Sequence, residues 1–298
     1  MNFEVPVDIA DEIVYLNGSF LPLREAHISV LDRGFIFGDG VYEVIPVYGR
    51  QPFRLPEHLR RLQYSLDGVR LQNPHPDAEW TRLVLSLIDR SPHRDQSLYM
   101  QVTRGVAKRD HAFPNGVAPT VFMMTTALST PPREWVEKGG AAITAVDNRW
   151  LRCDIKSTAL LGNVLMRQLA VDAGAQETIM LRDGKLTEGS ASNVFIVRGS
   201  TIIAPPKSTL MLPGTTYDVV VELAKQADMP LEIRDVTDAE LREADEIWIT
   251  SATREVLAIT SLDGKRVGGG VPGAVFRRMY ELFQAFKADL IQGSASHA

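Results

Sequence analysis

The chain of 298 residues has one cysteine, Cys153, so no disulfide can close within it and no cysteine-rich zinc site can be built. That scarcity suits a reducing compartment. It also lacks a polybasic run, and its formal net charge is −5. Nucleic-acid binding needs a concentrated basic face that displaces counterions, so no nucleic-acid partner is expected. No stretch is apolar for long enough to cross a bilayer. The opening MNFEVPVDIADE is acidic and has no apolar core, unlike a secretory signal. No membrane partner and a cytoplasmic location follow as expectations. What is present is an ordinary globular composition, 45% hydrophobic and 23% charged, in a chain long enough for two domains.

Periodicity divides the chain. The apolar run Ile13 to Leu16, the Asn17-Gly18 pair and the run Phe20 to Leu23 predict a hairpin, with Pro22 at a sheet edge. Val41 to Val47 predicts a strand buried on both faces, apart from Glu43. From Pro56 the period becomes helical through Leu59, Leu62, Leu66 and Val69, and Trp80 to Ile88 predicts a second helix. Two β-rich runs, Leu98 to Thr103 and Thr120 to Leu128, close this half. Ser129-Thr130-Pro131-Pro132 reads as a linker, because paired prolines continue neither a helix nor a central strand. The expected domains are therefore 1–130 and 133–298, with a linker at about 129–132. The second half predicts hairpins at Thr178 to Thr187 and Val194 to Ile203. It predicts helices at Leu160 to Ala173, Thr216 to Gln226 and Val275 to Leu290. No regular βαβ rhythm is visible, so the fold class reads as α+β, and the tail Gln292 to Ala298 reads as disordered.

The segment Arg149 to Asn163 sets Arg149, Arg152, Asp154 and Lys156 among apolar residues, where unpaired charge is costly. A lysine in such surroundings is driven towards the neutral amine that attacks carbonyls to form a Schiff base. Taken alone, a lysine is ordinarily a solvated surface residue. Three features bear on that choice. Leu212-Pro213-Gly214-Thr215-Thr216 is a turn into a helix whose free N–H groups and hydroxyls suit a phosphate, although ordinary N-capping by Thr215 or Thr216 is the commoner explanation of such a turn taken alone. Thr250-Ser251-Ala252-Thr253 is small and hydroxylic after the apolar strand Ile247 to Ile249. Glu188, in the run from Leu186 to Asn193, could face a pyridine nitrogen and keep it protonated, or could be an ordinary hairpin glutamate.

Four ordered blocks add specificity: Asp32-Arg33-Gly34 followed by Phe37 to Glu43, Gln101 to Gly105, Arg149 to Lys156, and Thr187 to Phe195. On these the chain resembles the fold-type IV pyridoxal-phosphate aminotransferases, and within them the bacterial D-amino acid aminotransferases, over nearly its whole length. The resemblance implies a smaller N-terminal α/β domain and a larger, β-rich C-terminal pseudo-barrel domain carrying the Schiff-base lysine. It implies pyridoxal 5'-phosphate as cofactor and ping-pong transfer of an amino group from a D-amino acid to a 2-oxo acid. By it Lys156 is both the Schiff-base lysine and the proton shuttle, and Glu188 partners the ring nitrogen. Leu212 packs on the ring, and Arg61, Thr215, Thr216, Ser251 and Ala252 form the phosphate cup. Tyr42, Arg109 and His111 trap the substrate carboxylate, the last two from the neighbouring subunit of a homodimer. Two departures stand out: Ala191 and Ala252 replace hydroxyls common in the family. Asp110, between Arg109 and His111, is expected to point to solvent. The alternatives within the same fold are a branched-chain L-amino acid aminotransferase, an (R)-selective amine transaminase and an aminodeoxychorismate lyase.

Overall fold

The computed structural model describes residues 6, 7 and 9–295. Residues 1–5 and 8, on which the reading of the N-terminus partly rests, lie outside the described residues, as do 296–298 of the tail. The chain forms two compact units. One takes in the chain up to Ser129 together with Ile155–Leu160, and the other comprises Thr130–Asp154 and Leu161–Gln292.

In the first unit, β1 (Ile13–Leu16) and β2 (Ser19–Pro22) make the expected hairpin on Asn17 and Gly18, both at positive φ. There follow α1 (Arg33–Phe37), β3 (Gly40–Tyr48), β4 (Gln51–Pro52), α2 (Leu55–Gly68), α3 (Asp77–Arg90), β5 (Gln96–Thr103) and β6 (Thr120–Ala127). The six strands form one antiparallel sheet in the order β2-β1-β6-β5-β3-β4. β2 is an edge strand, where the missing N–H of Pro22 costs no ladder bond. Leu59, Leu62 and Leu66 of α2 pack with Trp80, Leu83 and Leu87 of α3 in one core with Val41, Ile45 and Leu98 of the sheet.

β4 covers only Val47 and Tyr48 of β3. The earlier part of β3 has its remaining edge filled by a return of the chain from residue 155 onwards. Tyr42 N–H donates to Lys156 O (2.9 Å), Thr158 N–H donates to Gly40 O (2.9 Å), and Val41 bridges Ser157 in antiparallel fashion. Lys156 N–H donates to Ser65 Oγ on α2 (3.1 Å), and Ile155 enters the core described above. The linear division at residue 133 puts Lys156 with the second domain. The structure packs Ile155–Leu160 with the first unit instead, because an open strand edge demands backbone partners and this segment supplies them.

The second unit contains α4 (Arg133–Lys138), β7 (Gly140–Val146), α5 (Leu161–Asp172), β8 (Glu177–Arg182), β9 (Lys185–Gly189), β10 (Asn193–Arg198) and β11 (Thr201–Ala204). It continues with α6 (Thr215–Gln226), β12 (Leu231–Ile233), α7 (Asp238–Arg242), β13 (Glu246–Ser251), β14 (Glu255–Leu262), β15 (Lys265–Arg266) and α8 (Ala274–Ala295). Its strands run in the order β12-β11-β10-β13-β14-β7-β8-β9, with β15 beside β14. β9 and β10 stand five places apart, about 24 Å in a flat sheet, yet only residues 190–192 join them. Three residues cannot span that distance, so the sheet curls, as expected of a pseudo-barrel.

Two features correct the sequence reading. β7 pairs in parallel with β8 and β14, and β11 pairs in parallel with β12. β7-α5-β8 and β11-α6-β12 are therefore true crossover units inside an α+β fold. β7 reads GAAITAV, whose small residues have weak β-propensity, so it was not legible as a strand. The tail is helical, not disordered, as far as Ala295, because α8 continues beyond Leu290.

Gly38 ends α1 in the left-handed region (φ 64°), and a Cβ there would meet the Ala159 backbone at 3.1 Å. Gly199 has nearly the same φ (61°) with open space around it. Alanine in that region costs about 1–2 kcal/mol at either site. Gly38→Ala should therefore lower the thermal unfolding midpoint by more than Gly199→Ala, measured by calorimetry side by side.

Candidate active site

The amine of Lys156 stands 4.1 Å from the centroid of the Tyr42 ring. Tyr42 stacks on Tyr99 (5.7 Å between centroids, 29° between planes), whose hydroxyl donates to Gln101 Oε1 (2.6 Å). Burial pushes the Tyr99 hydroxyl up to about 12, so it stays a donor. Tyr42 and Lys156 are thus brought together within the first unit. Tyr99 was not foreseen, since it looks in sequence like any aromatic of a β run.

Arg61 grips Glu43 with two parallel bonds, Nε to Oε1 at 2.8 Å and Nη2 to Oε2 at 2.7 Å. His58 Nδ1 lies 2.7 Å from Glu43 Oε2. Glu43 and His58 are completely buried. Burial works to raise the Glu43 carboxyl, but the charge and hydrogen bonds of Arg61 prevail and bring it down to about 2. Burial also pushes the His58 ring below its ordinary value. An ionised Glu43 can only accept, so the neutral ring carries its hydrogen on Nδ1. The 3.4 Å approach of Arg61 Nη2 to that nitrogen then sets two donors together and is not a bond. Glu43, which in sequence is a polar interruption of its strand and the end of the first matching block, fixes the plane of Arg61.

In the second unit, Glu188 is buried at the end of β9. Its Oε1 accepts from Arg149 Nη1 (2.7 Å), and its Oε2 accepts from Leu212 N–H (3.0 Å) and Asn193 Nδ2 (3.4 Å). Arg149 is held in turn by Asp147, at 2.9 Å on each oxygen, and Thr187 Oγ1 also donates to Asp147 (2.9 Å). Burial pushes the Glu188 carboxyl up to about 7 against the opposing pull of Arg149. The charges that looked unpaired in sequence are therefore paired: Arg149 with Asp147 and Glu188, and Arg152 with Asp154. Asp147 was missed, and the only available signal was its place two residues before Arg149.

Asn193 Nδ2 also donates to Leu212 O (2.8 Å), so both backbone polar groups of Leu212 are fixed. Gly214 follows, where a Cβ would fall 2.1 Å from Asn193 Oδ1. α6 then starts with buried Thr215 and Thr216, and Gly214 has no side chain to cap it. Ser251 ends β13, its Oγ accepting from Arg254 N–H (3.2 Å), with half-buried Ala252 next in the turn. Thr250 Oγ1 is buried without a hydrogen-bond partner among the described residues. A helix start lacking a side-chain cap, buried hydroxyls and a basic carboxyl are a donor set that fits a phosphorylated pyridine. A further group, unforeseen, holds the turn between β9 and β10. Buried Glu177 accepts from Ser190 N–H (3.0 Å), from the Ser190 hydroxyl, from Ser192 Oγ (2.8 Å) and from Arg254 Nη1 (2.9 Å). Ala191, between those serines, is exposed.

Arg109 and His111 are exposed and share one aromatic support in the first unit. The Arg109 guanidinium lies 5.3 Å from the Phe37 centroid, and the His111 ring lies 5.3 Å from the same ring. Asp110 is exposed, and its Oδ1 accepts from Ala112 N–H (3.2 Å).

Comparison with known proteins gives a family match, two relatives and a structural neighbour. Residues 40–262 match the profile of the amino-transferase class IV family. A D-alanine aminotransferase of Bacillus licheniformis is 41% identical over 91% of this chain and 95% of its own length. One of Staphylococcus aureus (strain MW2) is 36% identical over 92% of this chain and 98% of its own length. Among solved structures, a branched-chain aminotransferase of the archaeon Thermoproteus uzoniensis with norvaline gives a TM-score of 0.84 at 25% identity, covering 92% of this chain and 94% of that one.

The buried triad predicts acid sensitivity of the fold. His58 titrates lower in the folded protein than its ordinary 6.5, so the unfolded chain takes up that proton first as pH falls below about 6.5. Glu43 is bound more tightly as the anion, and its contribution is present above about 4.5 and lost as pH falls towards 2. It amounts to roughly 3 kcal/mol. Glu43→Gln should destabilise the protein at pH 7 by several kcal/mol, on the order of 3–5. It should also flatten the fall in stability between pH 4.5 and 3, as read by urea unfolding at each pH.

Proposed function

The chain belongs to the class IV aminotransferase family and works with pyridoxal 5'-phosphate, and we propose that it transfers the amino group of a D-amino acid to a 2-oxo acid. D-Alanine is the donor we assign first, after the substrate in the names of its relatives. The cofactor, when bound, supplies a protonated ring that withdraws electrons from the substrate α-carbon. Lys156 holds the cofactor through its amine between turnovers, and once released it moves the proton at the α-carbon. Glu188, a stronger base than an ordinary glutamate, accepts from the ring N–H and keeps that hydrogen in place. Arg61, the α6 start at Thr215 and Thr216, and the Ser251-Ala252 turn take the phosphate, while Leu212 supports the ring. The first half of the cycle releases a 2-oxo acid, and the second returns the amino group to a different one.

The single observation that carries the D-amino acid reading is the placing of Arg109 and His111 against one face-forming ring, Phe37, in a chain that also carries Tyr42 beside Lys156. A guanidinium and an imidazole held together bind a carboxylate in one orientation, and that orientation decides which hand presents its α-proton to Lys156. A branched-chain aminotransferase shares the fold. Turnover of L-leucine with none of D-alanine or D-glutamate would reject the D assignment in favour of a branched-chain L-amino acid activity.

We also assign a homodimer in which Arg109 and His111 serve the neighbouring subunit's site. Phe35 is 70% exposed, Val106 and Phe113 of that loop are nearly half exposed, and on α5 Leu161, Val164 and Leu165 are more than half exposed. Apolar surface of that kind is ordinarily covered by a partner, and a two-fold dimer is the commonest arrangement. The cytoplasm, where a lone buried thiol such as Cys153 stays reduced, is the compartment we assign.

Purified enzyme should show a near-visible absorbance band that borohydride abolishes and that Lys156→Ala lacks, with activity down by at least about 10²-fold. Arg109→Ala should raise KM for D-alanine roughly tenfold to a hundredfold through loss of charged hydrogen bonds to the carboxylate. Mixing unfolded Lys156→Ala and Arg109→Ala chains and refolding them together should restore activity if the arginine acts across the interface. No restoration would place both residues' roles in one subunit.

A further inference from the structure

The loop between β5 and β6 runs from Arg104 to Pro119 without a helix or a strand of its own, apart from the isolated bridge of Val106 to Asp32. A connection of that length normally wanders unless something ties it. Both ends are tied to the segment around α1. Arg33 N–H donates to Gly105 O (2.9 Å), Arg104 N–H donates to Asp39 O (3.0 Å), and Thr120 Oγ1 donates to Asp32 Oδ2 (2.6 Å). The middle, which carries Arg109 and His111, is held differently. Arg33 is almost fully buried and sends Nη1 to Asp110 O (2.5 Å) and Ala112 O (3.3 Å), with Nη2 3.5 Å from His111 O.

The orientation of Arg33 is itself determined. Its Nε donates to Asp39 Oδ2 (2.7 Å), the same oxygen that accepts from Arg104 Nε (2.8 Å). Arg104 continues to the carbonyls of Val69 (2.7 Å) and Arg70 (3.1 Å) and lies 3.8 Å from the Phe113 ring centroid. One carboxylate thus aims two guanidinium forks, one at the middle of the loop and one at the carbonyls of Val69 and Arg70. Phe37, four residues after Arg33, lies 4.8 Å from the Arg33 guanidinium and takes Arg109 and His111 at 5.3 Å each.

We propose that Arg33, oriented by Asp39 and backed by Phe37, is the positioning residue of the substrate-carboxylate site: it fixes the backbone of Asp110 to Ala112 so that Arg109 and His111 present their side chains together. The claim rests on the reading of Arg109 and His111 given above. A planar fork reaches several carbonyls at once, which an ammonium on a flexible stem does not. The Arg109 and His111 side chains are exposed, so their directions follow from the backbone beneath them and from the Phe37 ring beside them. Arg33 therefore acts on binding of the carboxylate and not on the proton transfer at Lys156.

The test is a double-mutant cycle on the holoenzyme with D-alanine as the probe. Arg33→Lys keeps the charge opposite Asp39 and removes the fork. It should raise KM at least fivefold with kcat changed less than threefold, and the absorbance of the bound cofactor should stay as in the parent. Combined with Arg109→Ala it should add less than it does alone, because part of its effect passes through Arg109 and the rest through His111. Phe37→Leu, which retains the Arg33 bonds, should raise KM in the same direction and serves if Arg33→Lys fails to fold. An unchanged KM in both single variants, or effects that multiply in the double variant, would overturn the proposal. If Arg109→Ala alone leaves KM unchanged, the carboxylate reading itself falls and the positioning role falls with it.

Discussion

A charge withdrawn from water has to find its counter-charge in the protein, and the two chemically loaded regions of this chain are organised by that requirement. Glu188 is almost completely withdrawn from water. Its carboxyl would rise further and lose its anionic form were Arg149 not bonded to one oxygen and the Leu212 N–H to the other. Arg149 could not be buried without Asp147. A chain of three charges therefore fixes the end of β9, the segment at Leu212 and the approach to α6 in one arrangement. The price in desolvation is met by geometry, since each partner offers its hydrogen bonds in the plane the other needs. Burial and these bonds together leave the Glu188 carboxyl at about 7, well above an ordinary glutamate.

The first unit repeats the device with different residues. Glu43 sits inside a strand otherwise made for burial, and it is tolerated because Arg61 and His58 approach it from α2. Asp39 does the same for Arg33 and Arg104. In both cases one acid gathers two basic side chains, both from α2 for Glu43 and from α1 and just after β5 for Asp39, so polar bonds do the work of a cross-link. The candidate site residues are attached to these clusters at one remove. Arg61 emerges from one of them with its plane set, and the loop of Arg109 and His111 is carried by the other.

Lys156 illustrates how the backbone places a candidate site residue. The residues around it form no strand or helix of their own, yet Tyr42, Ser65 and Gly40 take up their polar groups as a sheet would. The amine projects from a segment held on a strand edge, beside the face of Tyr42. Rigidity here comes from completing an edge that β4 leaves open.

Much was legible in the linear sequence where the signal is local. The hairpins at Asn17-Gly18 and at Thr178 to Thr187, the helices α2, α3, α5, α6 and α8, and the edge position of Pro22 follow from period and turn chemistry, which act over a few residues. The same holds for naming Lys156, Glu188, Arg109 and His111 as candidates, since their neighbours form recognisable blocks. What lay beyond reach was long-range. The Ala-rich β7 becomes a strand because β8 and β14 flank it, the segment at Lys156 joins the first unit because β3 has an edge to fill, and α8 runs on beyond its apolar pattern. Asp147, Glu177 and Asp39 look in sequence like any acidic residue, and only the fold brings their arginines to them. The sequence by itself determined which side chains could do the chemistry, because reactivity resides in residue type. Only the tertiary structure decided which charges are paired and which backbone carries them, because pairing depends on distance between residues far apart along the chain.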